Sequence, residues 1–198
     1  MAIQLQHIKY DVIYEALAGQ SECGDQYLVK QLNDSILIAV ADGLGHGTEA
    51  AFAAEKAMKI LDSYSNEPIK ALIQMCDKEL QETRGIALTI ARVSNNKLTY
   101  LAIGNVLGVY WQQDAEANWS KQSLFMQNGI VGSQLPSFEL NHIALKPGDI
   151  FILATDGIKE KFETEPARLE SPETIAKSLF KAYRNPKDDG LILVAQFL

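Results

Sequence analysis

The sequence predicts an α+β fold: two antiparallel β-sheets packed face to face as a β-sandwich, with helices outside. Three observations lead there. Strand-like segments come in runs instead of alternating one for one with helices, which argues against a β-α-β order. One pair of amphipathic helices interrupts the strands early, and a single helix comes late. The strands also carry more apolar surface than one sheet can bury, and two stacked sheets with outer helices would cover all of it. The 198 residues suit one domain spanning residues 1–198, since no repeat of solenoid length and no Pro/Gly-rich linker divides them.

Residues 8–16 and 26–32 are rich in Ile, Val, Tyr and Leu and read as strands. Residues 36–41 form a continuous apolar run, short enough for a buried central strand. A glycine-rich turn, Gly43-Leu44-Gly45-His46-Gly47, then leads into a helix. Thr48 is its expected N-cap, with Ala53, Ala57, Ile60, Leu61 and Tyr64 on one face. A second helix begins near Pro68 and aligns Ile69, Leu72, Ile73, Cys76 and Leu80. Both stripes are read as core.

Residues 86–93 and 98–103 make a hairpin about Ser94-Asn95-Asn96. Strands follow at 106–111, 119–125, 138–145 and 150–155, the last two joined by the turn Lys146-Pro147-Gly148-Asp149. Ser171 as N-cap and Pro172 as first helical residue open the late helix, which carries Ile175, Leu179 and Tyr183 and ends before Pro186. A strand over 191–198 closes the chain.

Composition removes several classes of function. The net charge of −7 argues against nucleic acid and against anionic membranes, both of which call for a basic surface. No stretch approaches the ~18 apolar residues of a membrane span, and the N-terminus lacks a signal-peptide pattern. Cys23 and Cys76 form neither a metal motif nor a disulfide framework, so a reduced cytoplasm is expected. A cysteine phosphatase would need Cys-x5-Arg, but Val29 and Glu82 stand six residues beyond the two cysteines. The glycine-rich turn falls one residue short of a dinucleotide fingerprint, with Thr48 where the third glycine belongs, which leaves a Rossmann enzyme as a weaker alternative. No P-loop is present.

The residues suited to chemistry are carboxylates at strand ends. Residues 36–43 and 150–157 share one pattern, an apolar strand ending in Asp-Gly, at Asp42-Gly43 and Asp156-Gly157. A carboxylate so placed is rigid, and burying it is costly unless it is paired or bound to metal. Glycine lets another group approach the backbone closely. Asp188-Asp189 adds a third acidic site ahead of the last strand. Convergent carboxylates without His or Cys partners favour Mg²⁺ or Mn²⁺. Two such ions about 3.5–4 Å apart can clamp a phosphoryl group and ionise a water. The plainer alternative is that Asp-Gly marks ordinary strand ends.

Asp42-Gly43-Leu44-Gly45-x-Gly47, Thr155-Asp156-Gly157 and Lys187-Asp188-Asp189 occur in an order that resembles the metal-dependent type-2C protein phosphatases. The resemblance is strongest to the compact bacterial SpoIIE/RsbX branch, and within it to RsbX-like stressosome phosphatases. Cys23-Gly24-Asp25, Arg84-Gly85 and Gly104-Asn105-Val106 look like motifs of that branch, and the likeness runs from about Gly19 to Leu198.

The resemblance implies an αββα sandwich, a centre of two Mn²⁺ or Mg²⁺ ions, and hydrolysis of phosphoserine or phosphothreonine on proteins. It implies that Asp42 bridges both ions, that the carbonyl of Gly43 binds one of them, and that Asp156 and Asp188 bind the other. Asp25 and Asp189 would steady these ligands and their waters. The implied partners are phosphorylated signalling proteins of the stressosome scaffold and antagonist type, met by a monomeric enzyme. The chain departs from the larger type-2C enzymes at three positions. Gly24 stands where they carry a glutamate ligand, Gln20 where they carry a phosphate-binding arginine, and Asn105 where they often have an aspartate. Weak metal binding, in the millimolar range of Mn²⁺, is therefore expected.

His46 could protonate the leaving oxygen or be an exposed loop histidine. Arg84 could hold phosphate or serve the surface. The competing functional reading is a weakly active or inactive phosphatase-fold module for protein interaction, motivated by the thinned shell at Gly24.

Overall fold

The computed structural model describes residues 3–5, 7–114, 118–164 and 170–198. The chain runs β1 (Ile3–Gln4), β2 (Ile8–Glu15), β3 (Asp25–Gln31), β4 (Ile36–Gly43), α1 (Thr48–Ser63), α2 (Ile69–Glu79), β5 (Ile86–Ser94) and β6 (Lys97–Ile103). It continues through β7 (Leu107–Gln113), β8 (Trp119–Ser123), β9 (Asn141–Ala144), β10 (Ile150–Ala154), a 3-10 turn (Glu160–Thr164), α3 (Pro172–Tyr183) and β11 (Gly190–Phe197). One sheet has the order β1-β2-β11-β10-β7-β8 and the other β3-β4-β5-β6-β9, and every strand pair is antiparallel.

The period-two alternation of the strands sorts the apolar residues into three cores. Ile36, Ile38 and Val40 of β4 meet Phe151 and Leu153 of β10 and Leu191 and Leu193 of β11 between the sheets. The alternate residues of β4, Leu37, Ala39 and Ala41, face α1 and α2, where Ala53, Ala57, Leu61, Leu72 and Ile73 cover them. Ile150, Ile152, Ile192 and Val194 face α3, against Ile175, Ala176 and Leu179. Burying Phe151 completely contributes roughly 1.5–3 kcal/mol from area alone. The αββα layering expected from the sequence is thus the observed fold.

Local signals were mostly sufficient. The hairpin expected at Ser94-Asn95-Asn96 is a two-residue turn with both asparagines at positive φ (51° and 55°) and Ser94 opposite Lys97. Ser171 accepts a hydrogen bond from the Thr174 amide at 3.2 Å, with Pro172 beginning α3. Three details differ. Thr48 is not the N-cap of α1. Gly47 is, at φ 75°, ψ −159°, a conformation that side-chain-bearing residues avoid, so no side chain caps this helix. Tyr64 lies at the C-cap of α1 and is 53 % exposed, off the buried stripe. The strands expected at 119–125 and 138–145 are shorter, because their sheet pairings stop at Ser123 and begin at Asn141. Among the described residues no helix is long and apolar enough to cross a membrane.

Candidate functional site

Antiparallel pairing brings one end of several strands to a common edge. β4 finishes there at Asp42-Gly43, β3 starts there at Asp25, β10 runs out into Thr155-Asp156-Gly157, and Asp188-Asp189 lead into β11. Asp25 and Asp42 are direct register partners. Asp42 shares the inward parity of Ile38 and Val40, so its carboxylate continues the face between the sheets. Three carboxylates remote in sequence, Asp42, Asp156 and Asp188, line one cleft of about 520 Å³ together with His46, Asn105, Asn128 and Ile130.

The two Asp-Gly glycines are required by close packing. A Cβ on Gly43 would lie 2.1 Å from the carbonyl oxygen of Ala50 in α1, and one on Gly157 would lie 1.7 Å from that of Asp189. The close neighbours that the sequence suggested for these glycines are protein backbone, and they press the helix and the β11 approach against the strand ends.

The acidic groups divide into two kinds. Asp189 is buried and spends both oxygens on backbone amides, Oδ1 accepting from Leu17 at 2.7 Å and Oδ2 from Gly24 at 2.9 Å. Asp25, also buried, accepts a hydrogen bond from the Thr155 hydroxyl at 2.7 Å, and that hydroxyl in turn accepts from the Leu191 amide at 2.9 Å. These two fix the frame. Asp42, Asp156 and Asp188 open toward the cleft, where Asn105 Nδ2 donates to Asp156 Oδ2 at 2.8 Å.

No ion pair among the described residues reaches any of these five carboxylates. Burial, then the neighbouring carboxylates, push Asp42 up to about 8. Burial also pushes Asp25 up to about 7, against the opposing hydrogen bond from Thr155. Asp156 is raised as well, by burial and then by Asp188. Such a cluster of uncompensated acids is stabilised by a cation. Among the described residues no group of three or more His, Cys, Asp or Glu side chains stands close enough together to hold a metal ion by itself. The arrangement is an open one of three strand-end carboxylates beside solvent, with Gly43 outside the cleft lining, which suits a hard divalent cation that keeps several waters.

His46 is exposed on the cleft wall. Arg84 lies outside the cleft lining. Its guanidinium packs over Gly45, where a Cβ would come within 2.6 Å of Nη1, and pairs with the exposed Glu49. Cys23 is buried, and burial pushes its thiol up to about 12, so it is no nucleophile at neutral pH. Sequence reasoning missed Asn128 and Ile130, which a long irregular segment delivers to the cleft with no local signal to announce them.

The family model for Stage II sporulation protein E (SpoIIE) matches residues 33–198. The chain is 24% identical to the phosphoserine phosphatase RsbX of Bacillus subtilis (strain 168) over 194 residues, covering 96% of each protein. A crystal structure of RsbX in complex with magnesium superposes with a TM-score of 0.88 at 24% identity, covering 100% of this chain and 99% of that one. A structure described with the bacterial stressosome, as a modular system adapted to control secondary messenger signalling, gives a TM-score of 0.85 at 28% identity. It covers 96% of this chain and 99% of the other.

Proposed function

The chain belongs to the SpoIIE family, and from that premise we propose that it is a metal-dependent serine/threonine protein phosphatase acting on phosphorylated signalling proteins. The observation that carries this reading is the convergence of Asp42, Asp156 and Asp188, without ion-pair partners among the described residues, in one cleft of a fold that the chain shares with RsbX.

In this reading Asp42, the Gly43 carbonyl, Asp156 and Asp188 hold two divalent ions, Mg²⁺ or Mn²⁺, while Asp25 and Asp189 steady the frame. When bound, the ions supply an ionised water as nucleophile and positive charge for the phosphoryl oxygens. The chain's own residues do the rest. The β3–β4 register sets the Asp42 backbone opposite Asp25, at the strand end that lines the cleft. Asn105 keeps the Asp156 carboxylate turned inward. His46, exposed on the cleft wall, is the side chain this reading assigns to protonating the serine oxygen as it leaves.

A protein substrate is supported by exposed apolar side chains outside the cleft. Among the described residues Tyr14, Phe52 and Phe125 are large apolar side chains left exposed, close to ends of β2, α1 and β8. Tyr14 pairs with Leu191 beside Asp189, Phe52 lies in the first turns of α1, and Phe125 follows β8 just past Ser123. Exposed apolar side chains suit contact with the surface of a folded phosphoprotein better than with a small phosphomonoester. The chemistry named for RsbX and the stressosome setting of the second structure make stressosome-type phosphoproteins the substrates to try first.

The test is phosphate release from a phosphoserine protein of this type, with Mn²⁺ and with chelator, for the wild type and Asp42→Asn. Metal-dependent release that disappears in the variant is expected. No release from a verified substrate by the folded protein would sink the proposal in favour of a non-catalytic interaction module.

A further inference from the structure

Arg184 is the C-cap residue of α3, and its guanidinium turns back into the loops that carry Asp156 and Asp188. Nη1 donates to the carbonyl of Asn185 and, at 3.5 Å, to that of Gly157. Nη2 donates to the carbonyl of Asp188 and, at 3.3 Å, to that of Glu15. One planar fork thus joins the end of β2, the turn after β10 and the approach to β11.

The side chain is 11% exposed, and Nε is buried without a hydrogen-bond partner, with Glu15 Oε2 3.9 Å away. Gly190 makes room for the fork, since a Cβ there would stand 2.9 Å from Nη1. The Phe180 ring lies 5.8 Å from the guanidinium carbon. The backbone repeats the junction, with the Asn185 amide donating to the Gly157 carbonyl at 2.7 Å.

Resting on the phosphatase reading of the cleft, we propose that Arg184 is a positioning residue that fixes the spacing of Asp156 and Asp188 and thereby sets the affinity of the site for its divalent cations. Both carboxylates sit on short loops outside the sheet ladder, and like charge drives them apart. The fork grips the carbonyl of Asp188 itself and the carbonyl one residue past Asp156, so the two loops move as one piece. A carboxylate pair already at its working separation need not be drawn together when the cation arrives. The role is geometric, because positive charge alone at this place would oppose a cation. A lysine has the charge without the planar fork and cannot replace it.

The full chain is compared with Arg184→Lys and Arg184→Met by calorimetric titration with Mn²⁺, with thermal unfolding in chelator recorded alongside. Both variants are expected to bind Mn²⁺ about 10–100-fold more weakly, and activity lost at low Mn²⁺ is expected to return when Mn²⁺ saturates. Affinity within about twofold of wild type, in folded variants, would overturn the proposal. So would tighter binding by Arg184→Met, which would mean the guanidinium acts through its charge. Variants that stay unfolded even at saturating Mn²⁺ would show that Arg184 holds the fold and not the site. A wild type that binds no Mn²⁺ would remove the phosphatase reading itself, an outcome distinct from equal binding by wild type and variants.

Discussion

Asp25 and Asp42 face one another as register partners across β3 and β4, two acids side by side at a buried strand end. Their carboxyls are pushed up to about 7 and about 8, mainly by burial. Each folded value lies above the ~3.9 of an unfolded aspartate, so the folded state binds more protons between those limits. The pair therefore supports folding fully only below about pH 4, and loses that support as pH rises toward 8. In chelator, the melting temperature of the wild type should fall between about pH 5 and pH 8 relative to Asp42→Asn, whose profile should be flatter. Mg²⁺ should raise the wild-type melting temperature more at the higher pH. Parallel profiles for the two proteins would contradict this account.

Gly24 and Asp189 define a second relationship. The Gly24 amide donates to Asp189 Oδ2, and a Cβ on Gly24 would fall 2.8 Å from that oxygen and 3.1 Å from Ala50 Cβ. Restoring the glutamate of the larger enzymes here should therefore not restore a ligand. Gly24→Ala and Gly24→Glu should each destabilise the protein by about 1–3 kcal/mol, as overpacking does, and should weaken Mn²⁺ binding in a titration. Tighter Mn²⁺ binding by Gly24→Glu would show that the loop can yield.

Asn105 donates to Asp156 where many larger relatives place an acid. Asn105→Asp removes the donor and adds a negative charge to the cleft. It should lower the melting temperature in chelator and enlarge the rise produced by Mn²⁺. A variant that melts like the wild type with and without metal would mean that this contact does not tune the site.

The layering was legible in the sequence because it rests on periodicity. The continuous apolar run of residues 36–41 points to a strand covered on both faces, and the helical stripe of Ala53, Ala57 and Leu61 to a single partner surface. Asp42 and Asp156 were legible because Asp-Gly after an apolar run is a local pattern, and Asp188 because an acidic pair opens the last strand. Gly47 as N-cap was not, since the competing cue, a threonine at the helix start, is chemically reasonable and only tertiary backbone geometry decides between them. Arg184 was invisible for a related reason. Its partners are carbonyls of three separate segments, and a carbonyl leaves no mark on sequence.

His46 and Arg84 call for different substrates to reveal them. His46 lines the cleft, four residues beyond Asp42, whereas Arg84 stands outside it, paired with Glu49 over Gly45. If His46 protonates the leaving oxygen, His46→Gln should lower kcat on phosphoserine protein by about 10²-fold or more, the usual scale of general acid catalysis. An aryl phosphate, whose leaving group needs no proton, should be turned over nearly as before. Arg84→Ala should instead raise KM for the phosphoprotein and spare kcat, because an exposed guanidinium at the cleft mouth meets the substrate's surface and not the bond that breaks. Equal losses on both substrates for His46→Gln would assign it to binding, and a pure kcat effect for Arg84→Ala would place that side chain in the chemistry after all.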